Sequence, residues 1–326
     1  MRTLKIIYKL ILLVVCIMVI TMICTTILGA SAGTINESEP NNEFEDADVT
    51  YDDYDNYGYI SSTNHGDYWQ VTFNYSGYAN FWVGNIPSGC NYELAVYDYD
   101  ALEILGTSFN TGNRQELITL PVIAGKTYHF YVFSVQGYST SKAYKVRAKC
   151  YPSRDLQIVL HEQEDEDTCS AASAKMVLSY YGINLSESTI ETWMRNNNSS
   201  WNIAGNVSAV INHYLSLNNK NVNYVAEWSG SLSEEGYKER LINNICSGYP
   251  VIPLITVNNK TYFEQTTGGH YIVVKGIYYD FSSNIYRTKI NDPFYQHSKV
   301  YTSMPLTGLY ECNMAHPHDF MIFVVH

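Results

Sequence analysis

Asp167-Thr168-Cys169-Ser170-Ala171-Ala172-Ser173-Ala174-Lys175-Met176-Val177-Leu178-Ser179-Tyr180-Tyr181-Gly182 is the stretch from which the C-terminal half can be read. Ala171, Ala172, Ala174, Met176 and Leu178 are good helix formers, and Gly182 suits the left-handed position just past a helix end. The spacing predicts a helix over Ser170 to Tyr181. Thr168 is a reasonable N-cap, which puts Cys169 in the first turn. Unpaired N–H groups and the positive end of the helix dipole favour a thiolate there, and the thiolate is the nucleophilic form.

A nucleophilic thiol also needs an imidazole to hold its proton and a third group to orient that imidazole. His270 follows Gly268-Gly269 and opens an apolar strand, while Asp292 lies in Asn291-Asp292-Pro293 after the next strand. Neighbouring strands can bring His270 and Asp292 to one sheet edge facing the helix start, with Asn291 as the alternative orienting group. Gln163, six residues before Cys169, can donate an amide N–H to a developing oxyanion alongside the backbone N–H of Cys169. No C-x-x-C or H-E-x-x-H spacing occurs, which argues against zinc.

Outward from this core, helices are predicted over Leu185 to Arg195, Asn206 to Leu215 and Ser233 to Ser247. Strands follow over Val251 to Val257, Tyr271 to Tyr279, Tyr286 to Ile290 and Phe320 to Val325. Residues 151–326 therefore read as an α+β domain. Tyr151-Pro152-Ser153 marks its start. Before it the period changes to two: Trp69, Val71, Phe73 and Tyr75 alternate with Gln70, Thr72 and Asn74. Similar runs at Tyr92 to Val96, Tyr128 to Phe133 and Tyr144 to Ala148 are separated by Gly, Asn, Ser and Pro, so residues 33–150 read as an all-β, jelly-roll-like sandwich.

The chain has 326 residues, 46% hydrophobic and only 16% charged, against roughly 25% charged in an average protein; intrinsic disorder is excluded for most of it. With 32 acidic against 20 basic side chains, nucleic-acid binding is excluded on electrostatic grounds. Arg2, Lys5 and Lys9 precede an apolar run from Leu10 to Leu28, and Ala30-Ser31-Ala32 supplies small residues at a cleavage point. Residues 1–32 are thus expected to be a signal peptide, giving a secreted chain without a membrane attachment; an uncleaved anchor is the alternative. Removing those three basic residues takes the formal charge from −12 to −15. Cys16 and Cys24 leave with the signal, and Cys90, Cys150, Cys169, Cys246 and Cys312 remain. Cys90 with Cys150 and Cys246 with Cys312 are candidate bridges around a solitary Cys169, and five reduced thiols are the alternative.

Gln163 six before Cys169, the D-T-C-S-A-A-S-A helix, G-Y-P-V-I-P-L-I at Gly248 to Ile255, G-G-H-Y-I-V-V-K-G-I and I-N-D-P together resemble the papain-like peptidases related to bacteriocin-leader processing enzymes. That is cysteine peptidase family thirty-nine, in its free-standing branch, and the resemblance covers about residues 155 to 326. It implies a papain-like fold with Gln163 as oxyanion donor, Cys169 as nucleophile, His270 as general base and acid, and Asp292 as orienting acid, with no cofactor needed for catalysis. Ser170-Ala171 stand where the family usually has Gly-Pro. The processing enzymes are fused to a transporter and act in the cytoplasm, whereas this chain carries an export signal, so leader processing is not expected.

Glu37 to Asn42 (E-S-E-P-N-N), Asn64 to Trp69 (N-H-G-D-Y-W) and Ala124 to Val132 (A-G-K-T-Y-H-F-Y-V) resemble the bacterial pre-peptidase C-terminal domain and the collagen-binding modules of clostridial-type collagenases, over about residues 34 to 150. In calcium-binding members the matching positions imply oxygen ligands from Glu37, Glu39, Asn41, Asn42, Asn64 and Asp67 and a backbone carbonyl at Tyr68; hard oxygen donors suit Ca²⁺. Asn42 and Asn64 replace frequent carboxylates. A polar linker with an Asx turn is the alternative. The expectation is a secreted cysteine peptidase acting on protein or peptide, its sandwich aiding secretion or binding extracellular matrix or cell wall. The rivals are a cell-wall amidase with the same triad and an inactive adhesin. Glu162, Glu164, Asp165, Glu166 and Asp167 flank the thiol; they complement a helix N-terminus, oppose a thiolate, and predict a basic substrate residue near the scissile bond, unless the run is simply a solvated loop.

Overall fold

The computed structural model describes residues 32–63, 65–100, 103–256, 263 and 268–325. The expected signal segment, up to residue 31, and Asn64 of the expected calcium set lie outside them. Among the described residues, no helix is long and apolar enough to cross a membrane. The chain forms two compact units, one ending at Cys150 and the other beginning at Tyr151, with Tyr75–Tyr78 grouped with the second.

The N-terminal unit is made of β1 (Gly33–Asn36), β2 (Asp48–Thr50), β3 (Tyr54–Gly58), β4 (Gly66–Thr72), β5 (Gly77–Gly84), β6 (Asn91–Asp98), β7 (Ile104–Ser108), β8 (Glu116–Val122), β9 (Thr127–Gln136) and β10 (Tyr144–Pro152). They form two five-stranded sheets, in the orders β1-β3-β10-β5-β8 and β2-β4-β9-β6-β7. The period-two reading fixes which face is inside. Trp69 and Val71 of β4 pair with Phe130 and Tyr128 of β9, and all four are buried between the sheets with Phe73, Phe81, Tyr92 and Val146. Each such side chain contributes about 1.5–3 kcal/mol. The indole N–H of Trp69 donates to the Tyr144 hydroxyl at 3.0 Å, and that hydroxyl donates to Asp67 Oδ2 at 2.6 Å, so the core fixes a carboxylate.

The second unit contains β11 (Arg154–Asp155), α1 (Cys169–Tyr180), α2 (Glu187–Asn197), α3 (Ala204–Leu217), β12 (Tyr224–Trp228), α4 (Glu234–Ser247), β13 (Ile252–Thr256), β14 (Gly269–Tyr271), β15 (Val273–Asp280), β16 (Ile285–Asp292), β17 (Lys299–Pro305), α5 (Leu306–Met314) and β18 (Phe320–Val324). Two four-stranded sheets result, β11-β15-β16-β17 and β12-β18-β13-β14. The second half is thus α+β, as its period predicts.

Three differences from the sequence reading affect the site. The expected strand over Tyr271 to Tyr279 is two strands: it breaks at Ile272, so β14 pairs with β13 (His270 opposite Ile255) and β15 with β16 (Val273 opposite Asn291). β12 lies between helices rather than after them, held at the sheet edge by β18. β17 and α5 are additional: β17 is mostly exposed and lacks an alternating apolar face, and α5 is a nine-residue helix interrupted by Gly308.

Helix α1 is buried over Ser170–Ala174 and Met176–Leu178, which its run of Ala and Ser permits. It ends as Gly182 requires. Gly182 has φ +81°, its N–H donates to Ser179, and the N–H of Ile183 donates back to Leu178 at 2.9 Å, a Schellman closure with Leu178 and Ile183 buried together.

Candidate active site

Cys169 is the first residue of α1 and is partly exposed, while the rest of the turn is buried. Thr168 holds the N-cap position, but its hydroxyl does not cap. It donates to the Asp165 carbonyl at 3.0 Å and accepts from the Asp165 N–H at 3.1 Å, a closed loop that leaves the first-turn N–H groups of α1 without a side-chain acceptor from Thr168.

The break at Ile272 lets β14 deliver His270 beside the end of β16. His270 Nε2 meets Asp292 Oδ1 at 2.7 Å; Asp292 is fully buried and also accepts from the Phe294 N–H at 3.0 Å. The Cys169 thiol lies close enough to the same imidazole to act on its protonation. Because Nε2 is engaged by Asp292, the nitrogen left for the thiol is Nδ1. Burial pushes this imidazole down, but its hydrogen bonds to Asp292 and Cys169, and the charge of each, outweigh burial and raise it to about 10. Asn291, the alternative orienting residue, faces elsewhere: its amide nitrogen donates to the Ile158 carbonyl at 3.0 Å.

Gln163 is buried, its N–H tied to the Pro293 carbonyl at 2.7 Å, next in sequence to Asp292. Its amide nitrogen donates to the Asp165 carbonyl at 2.7 Å, which occupies one of two N–H groups.

The sequence reading did not single out Glu187, the first residue of α2. Buried to 1% exposure, its carboxylate takes His161 Nε2 at 2.8 Å and the Glu164 N–H at 3.1 Å, and it shares the single Thr168 hydroxyl proton with the Asp165 carbonyl. Burial pushes this carboxyl up, yet the bonds from His161, Thr168 and the Glu164 N–H hold it below the ordinary glutamate range. One carboxylate thus knots the loop that carries Gln163 and leads into Cys169. Of the acidic run, Glu162 is tied to Ser298 at 2.7 Å and to the Gln296 N–H at 3.2 Å, while Glu164 to Asp167 are exposed.

A cavity of about 660 Å³ opens beside Cys169, with Gly269 and Tyr271 flanking His270 among its walls. Gly268 has φ +91°, and a Cβ on Gly269 would stand 2.3 Å from His316 Nε2. The two glycines before His270 therefore serve different needs, a left-handed backbone and a close imidazole approach. The cysteines of this unit, Cys169, Cys246 and Cys312, are thiols, so no Cys246–Cys312 bridge is present; Cys90 of the other unit is a thiol as well.

In the N-terminal unit, Glu37, Glu39 and Asp67 each bring an oxygen within 4.8 Å of the others. Glu37 Oε2, Asn41 Oδ1, Asn42 Oδ1 and Asp67 Oδ1 are buried with no protein hydrogen bond. Burial first, then the charge of Asp67, raises Glu37 to about 8; burial and the charges of Glu39 and Asp48 raise Asp67 to about 7 against the Tyr144 hydrogen bond. Orphaned oxygens crowded by like charge are what a hard cation fits. Tyr68 follows Asp67 on β4 and donates its N–H to the Asn41 carbonyl at 2.8 Å, holding the 37–42 segment in place. Asp48, not foreseen from sequence, accepts from the Ser38 N–H at 2.9 Å and Asn41 Nδ2 at 3.0 Å.

No curated protein matches the chain. Among solved structures, the chain is similar to the pre-peptidase C-terminal domain of a collagenase from Bacillus anthracis (17% identity, 33% of this chain and 100% of that one, TM-score 0.27). It is similar also to a double glycine motif protease from an AMS/PCAT transporter, solved with its leader peptide (15% identity, 52% and 93%, TM-score 0.34). A third is a family 35 carbohydrate binding module from an environmental isolate (14% identity, 28% and 72%, TM-score 0.21). Residues 155–313 match the family model described as Peptidase_C39 like family.

Proposed function

We propose that the chain is an exported cysteine peptidase in which Cys169 is the nucleophile, His270 the general base and acid, Asp292 the group that orients His270, and Gln163 an oxyanion donor. The hydrogen bond between His270 and Asp292 at 2.7 Å, with the Cys169 thiol beside the same imidazole, carries this reading. His270 takes the thiol proton as the sulfur attacks an amide carbonyl carbon. The oxyanion formed is met by the free N–H of the Gln163 amide and the backbone N–H of Cys169. Collapse breaks the C–N bond as His270 gives its proton to the leaving amine. Water then adds to the thioester, giving its proton to His270, and the acid and the thiol are released.

The cluster of Glu37, Glu39, Asn41, Asn42 and Asp67 is proposed to hold one Ca²⁺, which would neutralise the crowded carboxylates and fix the start of the sandwich. It belongs to the stability of its own unit rather than to the peptidase chemistry.

Alkylation of Cys169 by iodoacetamide across pH, read by mass spectrometry, tests the catalytic reading. A plateau of fast labelling that extends below pH 7 and disappears in His270→Ala is expected. Labelling that rises only near pH 8.5, as for a free thiol, and is indifferent to His270→Ala would reject the triad.

A further inference from the structure

We propose that the cavity beside Cys169 is a side-chain pocket that selects a bulky apolar residue, of leucine or phenylalanine size, next to the scissile bond. The proposal rests on the peptidase reading of the same site and adds its substrate class. Ile203 and Ala204 at the start of α3, Ala226 of β12, Leu254 of β13, Tyr271 of β14 and Phe320 of β18 form its walls. These come from one helix and four strands of one sheet, so the pocket exists before substrate arrives. Cys169 is itself a wall residue. A side chain lodged here therefore belongs to the residue whose carbonyl is attacked or to its immediate neighbour.

Among the described residues the lining holds no Asp, Glu, Lys or Arg; its polar members are Asn202, His316, His318 and the Tyr271 hydroxyl. His316 Nδ1 accepts the His318 N–H at 2.9 Å, so the neutral ring carries its proton on Nε2, over Gly269; burial pushes the ring down and favours that neutral form. A lysine or glutamate side chain entering would shed water with no counter-ion among the walls to replace it. Glycine would leave the volume to water. At about 660 Å³ the cavity lies in the range of ligand pockets and holds the largest apolar side chains. The exposed acidic loop before Cys169 is not part of this lining, so a preference for basic residues is a competing outcome.

Two measurements on the full chain decide. In matched peptides differing only at the residue before the cleaved bond or the one preceding it, leucine or phenylalanine at one of these positions should exceed glycine and lysine by about a hundredfold in kcat/KM. Ala204→Leu or Ala226→Phe, which fill the pocket, should remove most of that advantage. Independently of hydrolysis, N-hexyl iodoacetamide should label Cys169 at least about tenfold faster than N-methyl iodoacetamide, relative to their ratio on free cysteine, and Ala226→Phe should abolish the difference. A hexyl preference without hydrolysis of any peptide would keep the pocket and reject the peptidase. Hydrolysis with equal rates for glycine and leucine, faster cleavage of the lysine peptide, or equal labelling by the two reagents would overturn the pocket.

Discussion

The two units each gather charged groups around a buried carboxylate, and they do it in opposite ways. In the C-terminal unit the buried acid Asp292 faces an imidazole 2.7 Å away, and Glu187 faces another at 2.8 Å; each negative group has its donors inside the chain. In the N-terminal unit Glu37, Glu39 and Asp67 face one another, and four nearby oxygens have no donor. The first arrangement pairs each acid with donors of the chain itself. The second leaves oxygens that the proposed cation would satisfy.

The contrast can be broken at four points. The largest effect is expected at His270: His270→Ala should lower kcat/KM by about 10²–10⁴, measured on a cleavable peptide, and leave the thermal transition of the N-terminal unit in place. Next is Gln163→Ala, which removes an oxyanion donor and should lower kcat by about 10²–10³ with little change in KM; an unchanged kcat would assign Gln163 to loop structure alone. Third, Ca²⁺ at a hundred times its Kd should stabilise the N-terminal unit by about 2.7 kcal/mol in calorimetry. Asp67→Asn should remove the shift without slowing hydrolysis, and a shift that persists in Asp67→Asn would place the cation elsewhere. Fourth is a pH dependence of stability. His270 is raised to about 10 from an ordinary value near 6.5. The stability it contributes is complete below pH 6.5 and is lost as pH rises through about 10, so the loss of stability over that interval should be larger in the wild type than in His270→Ala.

The sequence carried the periodic parts of this molecule and the residues of the candidate site. The helix after Cys169, the strand alternation around Trp69, and Gln163, Cys169, His270 and Asp292 are visible because each rests on local spacing or on a short motif. The choice of Asp292 over Asn291 needed the structure, since adjacent residues on a strand face opposite sides and only the register with β15 says which meets His270. Glu187 was hidden for a different reason. Its donors lie 19 to 26 residues upstream, and a glutamate at the first position of a helix reads as an ordinary N-terminal acid until tertiary packing buries it. Thr168 shows the limit of a capping rule: the residue is at the cap, but Asp165 and Glu187 offer its hydroxyl better partners than the helix does. The pocket walls, drawn from five separate elements, leave no linear signal at all.

The three unbridged cysteines of the C-terminal unit have a consequence for handling. Its fold is held by packing and hydrogen bonds with no covalent staple among Cys169, Cys246 and Cys312, so a reductant can keep the partly exposed Cys169 from climbing to the sulfenic and sulfinic acids without loosening the scaffold around it. In oxidising surroundings the same thiol is the vulnerable point. Activity recovered on adding dithiothreitol would then report chemistry at one sulfur atom, not the refolding of a domain.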